Sequence, residues 1–133
     1  MKSMASVMTV CVVMVGVFLI SGTSQAQENS GTVMQVVTID THGNTAAYLA
    51  SLKAVLERIE ELEPESSARV WEASISGDTV GTVYVVVEYP SLVSFAAATE
   101  KSVTDAAFAK AIAALVATGR TVESTSVLRD VTP

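Results

Sequence analysis

The hydrophobic and polar positions along the chain follow two periodicities in turn. Val33 to Asp40 is rich in β-branched residues, which is typical of a strand. From Thr45 the apolar residues recur every three to four positions, which predicts a helix with Asn44 as its N-cap and Pro64 as its stop. The apolar stripe of this helix contains Tyr48, Leu49, Leu52, Val55, Leu56, Ile59 and Leu62.

The rest of the chain repeats this plan and adds a hairpin. Two further strands are predicted over Ala68–Ile75 and Thr82–Tyr89, and the turn residues Gly77 to Gly81 join them. The remaining predicted elements are two helical pieces over Ser91–Lys101 and Thr104–Thr118 and a last strand over Thr121–Val131. Because the two helical pieces count as one crossover, the predicted order is βαββαβ.

This order predicts an α+β fold of the ferredoxin-like type, in which a four-stranded antiparallel sheet carries its helices on one face. The third strand is apolar on both sides, with Val83, Val85, Val87 and Tyr89 on one and Tyr84, Val86 and Glu88 on the other. A strand of this kind is expected to be covered on both faces. The helices can cover only one face, so we expect a homodimer in which sheet packs against sheet.

The first 26 residues are predicted to be a secretory signal peptide. Lys2 precedes an apolar run from Val7 to Ile20, and the small-residue end Ser24-Gln25-Ala26 follows. The run is shorter than the roughly 20 residues that span a bilayer, so a retained membrane anchor is the weaker alternative. We expect cleavage after Ala26, a periplasmic or secreted protein, a flexible segment over residues 27–32 and a single domain over residues 33–131.

Composition narrows the chemistry of this exported domain. Cleavage would remove Cys11 and Lys2 and leave 107 residues with a net charge of −7. The acidic balance argues against nucleic acid or an anionic membrane as the partner. One histidine and no cysteine cannot form an all-protein zinc site or a disulfide. No nucleophile elbow, phosphate loop or dinucleotide fingerprint occurs in the sequence.

Several local features resemble a known superfamily. They are Gly43 after the first strand, Ala68-Arg69-Val70-Trp71 with Gly77 and Gly81 behind it, and the segment from Val85 to Leu92. With the βαββαβ order they resemble the dimeric α+β barrel superfamily, which includes the antibiotic-biosynthesis-monooxygenase-like and NIPSNAP-like families. The resemblance covers nearly all of residues 33–131. It implies two sheets that enclose a cavity, but no particular reaction, because the superfamily hosts enzymes, haem binders and proteins of unknown role.

Five residues are candidates for a ligand site: His42, Arg69, Trp71, Tyr84 and Glu88. His42, the only imidazole, is either a proton carrier or haem ligand at the cavity mouth or a loop residue beside Gly43. Arg69 and Trp71 share a sheet face and could stack on a planar or anionic ligand, or form part of the core or an interface. Tyr84 and Glu88 share a face of the third strand, where a carboxylate in an apolar cavity could act as a general base.

Three functions are consistent with these residues. We favour an exported barrel that binds a small apolar or aromatic ligand in the barrel cavity without catalysis, and we assign it no cofactor and no metal. The alternatives are a cofactor-free monooxygenase-like or haem-handling enzyme, and a purely structural dimer. The enzyme would be favoured if one apolar cavity were lined by at least two of the following polar residues: Asp40, His42, Arg69, Glu72, Tyr84 and Glu88. A cavity filled by Val and Ala would favour the structural dimer.

The export prediction can be checked on the native protein. Mass spectrometry of protein purified from its source should find an N-terminus at or near Gln27, because the signal peptide is removed on export. A full-length chain recovered from the cytoplasm would contradict both the cleavage and the location.

Overall fold

A computed structural model describes residues 31–75 and 77–133. The predicted signal peptide and residues 27–30 lie outside the described residues. The described elements are β1 Val33–Asp40, α1 Thr45–Leu62, β2 Ser67–Glu72, a 3₁₀ turn Gly77–Thr79, β3 Val83–Tyr89, α2 Leu92–Thr104, α3 Ala106–Val116 and β4 Thr121–Arg129. Among the residues described, no helix is both long and apolar enough to cross a membrane.

The four strands form one antiparallel sheet in the order β2-β3-β1-β4. The chain order βαββαβ and the α+β class are therefore confirmed. β1 and β3 are central, so that Val36 of β1 lies opposite Val86 of β3 and Ser126 of β4. The register between β1 and β4 shifts at Thr38 and Ile39.

One face of the sheet carries the hydrophobic core. The alternation of β3 places Val83, Val85, Val87 and Tyr89 on this face, and all four are buried. They pack in one cluster with the buried side chains of the helices, among them Leu52 of α1. In contrast, all nine residues of β4 are exposed. The helices therefore cover the central strands β1 and β3 much more than β4.

Polar side chains set where α2 and α3 begin. Ser91 caps α2, since its hydroxyl oxygen accepts a hydrogen bond from the backbone N–H of Ser94 at 3.1 Å. Asp105 has extended backbone between α2 and α3, and its carboxylate accepts from the N–H of Phe108 at 2.7 Å. The break at Asp105 explains why the second crossover consists of two helices rather than one.

Two details differ from the sequence-based expectations. Asn44 occupies the N-cap position of α1 but makes no capping bond with its side chain, which instead donates to the Thr118 carbonyl oxygen at 3.2 Å. β2 ends at Glu72 and not at Ile75. The reason is a turn in which Ala73 exchanges backbone hydrogen bonds with Gly81 and Thr82, which redirects the chain before Ile75.

A bidentate ion pair joins α1 to the start of α3. The Nε and Nη2 atoms of Arg58 donate to the two carboxylate oxygens of Asp105 at 2.9 and 2.5 Å. The hydrogen bonds from Arg58, followed by the bond from the Phe108 N–H, lower the pKa of Asp105 to about 2. Asp105 thus both caps α3 and links it to α1.

Replacement of Asp105 should make stability depend on pH in a defined direction. Asp105→Asn keeps a capping acceptor but loses the charge pair, so its melting temperature at neutral pH should be below that of the wild type. The native pKa lies below that of the unfolded chain, so the charge-pair stabilisation is present above about pH 4 and is lost as pH falls towards about 2. Asp105→Ala, which also loses the cap, should melt on the order of 5 °C below the wild type.

Thermal melts followed by circular dichroism between pH 7 and pH 2 measure these differences. Asp78→Asn, at an exposed carboxylate in the 3₁₀ turn, is the matched control and should show no such difference. A gap between wild type and Asp105→Asn that stays constant over the whole range would exclude the proposed role of the ion pair.

Candidate functional site

The sheet face turned away from the helices, called here the open face, contains four of the five predicted site residues. Arg69 lies opposite Val86 and Trp71 lies opposite Tyr84 in the β2–β3 register. Tyr84, Val86 and Glu88 alternate with the buried residues of β3, so these side chains all belong to the open face. The fifth candidate, His42, lies outside the strands in the loop between β1 and α1.

The open face is largely apolar and only partly covered. Trp71 is 58% exposed and Leu128 is 48% exposed, while Met34, Val36 and Val86 are half-buried. Two of its charged residues, Arg69 on β2 and Glu88 on β3, form no ion pair with each other or with another described residue. The open face therefore combines unpartnered apolar area with one unpaired cation and one unpaired anion.

His42 is held by the ends of two strands. Its Nδ1 atom lies 3.2 Å from an Asp40 carboxylate oxygen, and its Nε2 atom lies 2.7 Å from the Thr121 hydroxyl oxygen. Its backbone N–H donates to Asp40 at 2.7 Å, and its φ of +50° falls in the left-handed region. This geometry favours the alternative of a loop residue that ties the β1–α1 loop to β4. Among the described residues, no group of three or more His, Cys, Asp or Glu side chains could hold a metal ion.

A cavity of about 330 Å³ lies on the other side of the sheet, between the sheet, α1 and α3. We call it the helix-side cavity. Its lining is mostly apolar, and it includes Leu52, Val55, Val85, Val87, Ile112 and Leu115. The short valine side chains of the central strands leave room beneath the helices. Val122, 39% exposed, and Thr125 line its β4 side, where the helices give little cover.

A few polar groups interrupt this apolar lining, above all Tyr48 and Arg120. Tyr48 is 1% exposed, and burial raises the pKa of its hydroxyl to about 12 although the charge of Arg120 opposes the shift. Burial also lowers the pKa of the Arg120 guanidinium, which nevertheless stays protonated as arginine does in proteins. The Arg120 Nε atom is buried and has no hydrogen-bond partner among the described residues.

Sequence reasoning missed both of these cavity residues as site candidates. Tyr48 was assigned to the apolar stripe of α1, which is correct for its ring but says nothing about its hydroxyl. Arg120 follows Gly119 in a short connection, where a single arginine forms no motif. In turn, none of the six polar residues named as candidates for a catalytic cavity lines the helix-side cavity: Asp40, His42, Arg69, Glu72, Tyr84 and Glu88.

Comparison with known proteins extends the description of the fold only. No family model and no curated protein matches the chain. A crystal structure of the methylated RPA0582 protein is 16% identical, with 81% of this chain and 87% of that chain covered and a TM-score of 0.50. A second structure of RPA0582, described as a protein of unknown function from Rhodopseudomonas palustris, is 16% identical with 81% and 88% covered and a TM-score of 0.44.

At this level of identity the likeness concerns the fold alone. The chain is similar in architecture to a small α+β protein of unknown function, and no activity can be transferred from it. The resemblance to the NIPSNAP-like and antibiotic-biosynthesis-monooxygenase-like families has no matching family model and stays a prediction.

Proposed function

We propose that the protein binds a small, largely apolar ligand in the helix-side cavity and does not catalyse a reaction. The observation that carries the proposal is the cavity itself, about 330 Å³ with a mostly apolar lining, in a domain whose core is otherwise formed by well-buried side chains. Pockets for small molecules have volumes of roughly 300–1,000 Å³. An apolar ligand in this cavity would shield its apolar lining from water and add packing contacts.

The placement of the polar residues supports binding over catalysis. None of the six polar residues predicted to mark a catalytic barrel cavity lines the helix-side cavity. For the haem-handling alternative, His42 is not placed to ligate a group in the helix-side cavity. It does not line the cavity, and both of its ring nitrogens contact Asp40 and Thr121. The third alternative, a purely structural dimer with a filled cavity, does not account for the unfilled helix-side cavity.

We also propose that binding takes place outside the cytoplasm, after cleavage behind Ala26. The support for this is the pattern of residues 1–26 in the sequence. A mature chain without cysteine would then rely on its packed core instead of disulfides for stability.

Filling the cavity from β4 should weaken ligand binding without disturbing the deep core. Decanol is a suitable neutral probe, and its binding can be followed by chemical-shift changes of the Leu52, Val85 and Ile112 methyl groups. Thr125→Phe should weaken decanol binding at least tenfold, because the new ring occupies cavity space. Ser124→Phe, at the neighbouring position on the open face, should leave decanol affinity unchanged.

The single tryptophan separates this site from the open face. Trp71 lies on the opposite side of the sheet, so decanol should not change its fluorescence. Absence of decanol binding, or a response confined to Trp71, would overturn the proposed site.

We infer in addition that two copies of the chain pair through their open faces, in the arrangement of a dimeric α+β barrel. Trp71 and Leu128 leave apolar area in water that a second sheet would cover. The unpaired Arg69 and Glu88 make the face self-complementary. In a two-fold dimer, Arg69 of one copy can meet Glu88 of the other, and the symmetry forms the same pair twice.

Charge exchange on the open face tests this dimer. The wild type should sediment as a dimer at micromolar concentration, and Arg69→Glu or Glu88→Arg alone should shift it towards monomer by like-charge repulsion. The double variant should recover the dimer, since the two charges have only changed places. Lys110→Glu, an equal charge reversal on exposed α3, is the control and should stay dimeric. A monomeric wild type, or a double variant no better than the singles, would rule out this interface.

A further inference from the structure

We propose that Arg120 makes the helix-side cavity selective for ligands that carry one carboxylate on an apolar body, such as medium-chain fatty acids or arylalkanoic acids. This inference rests on the proposed function, because it names the ligand class of the same cavity. It goes beyond that function by assigning a charged contact and a direction to the bound molecule.

The first argument is the unsatisfied donor. Arg120 lines the cavity, and its buried Nε has no acceptor among the described residues. A buried charged donor without an acceptor loses its hydration and receives nothing in return. An acceptor brought by a ligand into the cavity would satisfy this atom.

The second argument is the absence of a competing anion. The residues that line the cavity include no aspartate and no glutamate. Among the described residues, no ion pair includes Arg120 either. The positive charge is therefore available to a ligand even though the whole chain is acidic.

The third argument is the shape of the donor set. A guanidinium can donate two parallel hydrogen bonds from Nε and Nη to one carboxylate, which an ammonium or a hydroxyl cannot do. Tyr48, which interacts electrostatically with Arg120 and lines the same cavity, keeps its proton below about pH 12 and can donate as well. The remaining apolar wall, with Leu52, Val85 and Ile112, suits the hydrocarbon body.

The fourth argument is that the loop carrying Arg120 is held on both sides. The Thr118 carbonyl oxygen accepts a hydrogen bond from the Asn44 side chain, and the Thr121 hydroxyl bonds to His42. Gly119 between them has a φ of +82°, a conformation that favours glycine. These contacts fix the backbone around Arg120 before a ligand arrives, which lowers the ordering cost of binding.

Calorimetric titration of the protein with decanoate and with decanol tests the inference. The wild type should bind decanoate about tenfold to a hundredfold more tightly than decanol, as expected for a charge-assisted pair. Arg120→Leu should lose this preference while still binding decanol. Arg120→Lys, which keeps the charge without the fork, should bind decanoate with intermediate affinity. Arg129→Leu, which removes a positive charge from the exposed end of β4, should keep the wild-type preference.

The outcomes separate this inference from the proposed function. If decanol and decanoate bind equally, or if Arg120→Leu keeps the preference for decanoate, the cavity binds ligands but Arg120 does not select them, and the inference is wrong. If neither probe binds, both proposals fail together. A thermal melt guards against misfolding: because the buried Nε has no acceptor among the described residues, Arg120→Leu should melt no lower than the wild type.

Discussion

The structure depends on one constraint: a sheet has two faces, and the part of the chain that the structure describes supplies helices for only one of them. In a βαββαβ chain the strand–helix–strand crossovers share one hand, so they place their helices on the same side of the sheet. The apolar residues of β3 are nevertheless found on both sides. Those that face the helices become the core, whereas Val86 and its neighbours stay half-buried on the open face. The proposed dimer would cover these half-buried apolar residues of the open face.

The same constraint acts within the helix layer. α1 and α3 pack over the central strands, and the edge strand β4 keeps both of its faces exposed. Apolar residues of β1, which pairs with β4, and of β3 on the other side of β1 then line space that no side chain fills. A small domain has few ways to create a pocket without weakening its core. A gap between the core and an edge strand weakens the core little, because the central strands remain covered.

The periodicity of the sequence predicted the fold well. The bounds of β1 and of α1 agree with the pattern, since β-branched alternation and a three-to-four spacing leave few alternatives. The early end of β2 was missed, because it depends on backbone hydrogen bonds of Ala73 across the turn and not on residue type. The grouping of Arg69, Trp71, Tyr84 and Glu88 on one face was partly predictable, as residues two apart on a strand share a face. Their pairing across β2 and β3 required the register.

The candidate site itself shows where sequence reasoning stops. His42 attracted attention because it is the only imidazole, yet both of its ring nitrogens are engaged by Asp40 and Thr121. Arg120 carries no such sequence signal, because a single arginine in a short connection forms no motif. What distinguishes Arg120 is that its Nε is buried without an acceptor among the described residues, a property of the folded environment that residue identity does not reveal. The two residues are nonetheless related. His42 is hydrogen-bonded to Thr121, the neighbour of Arg120, and so helps to position Arg120.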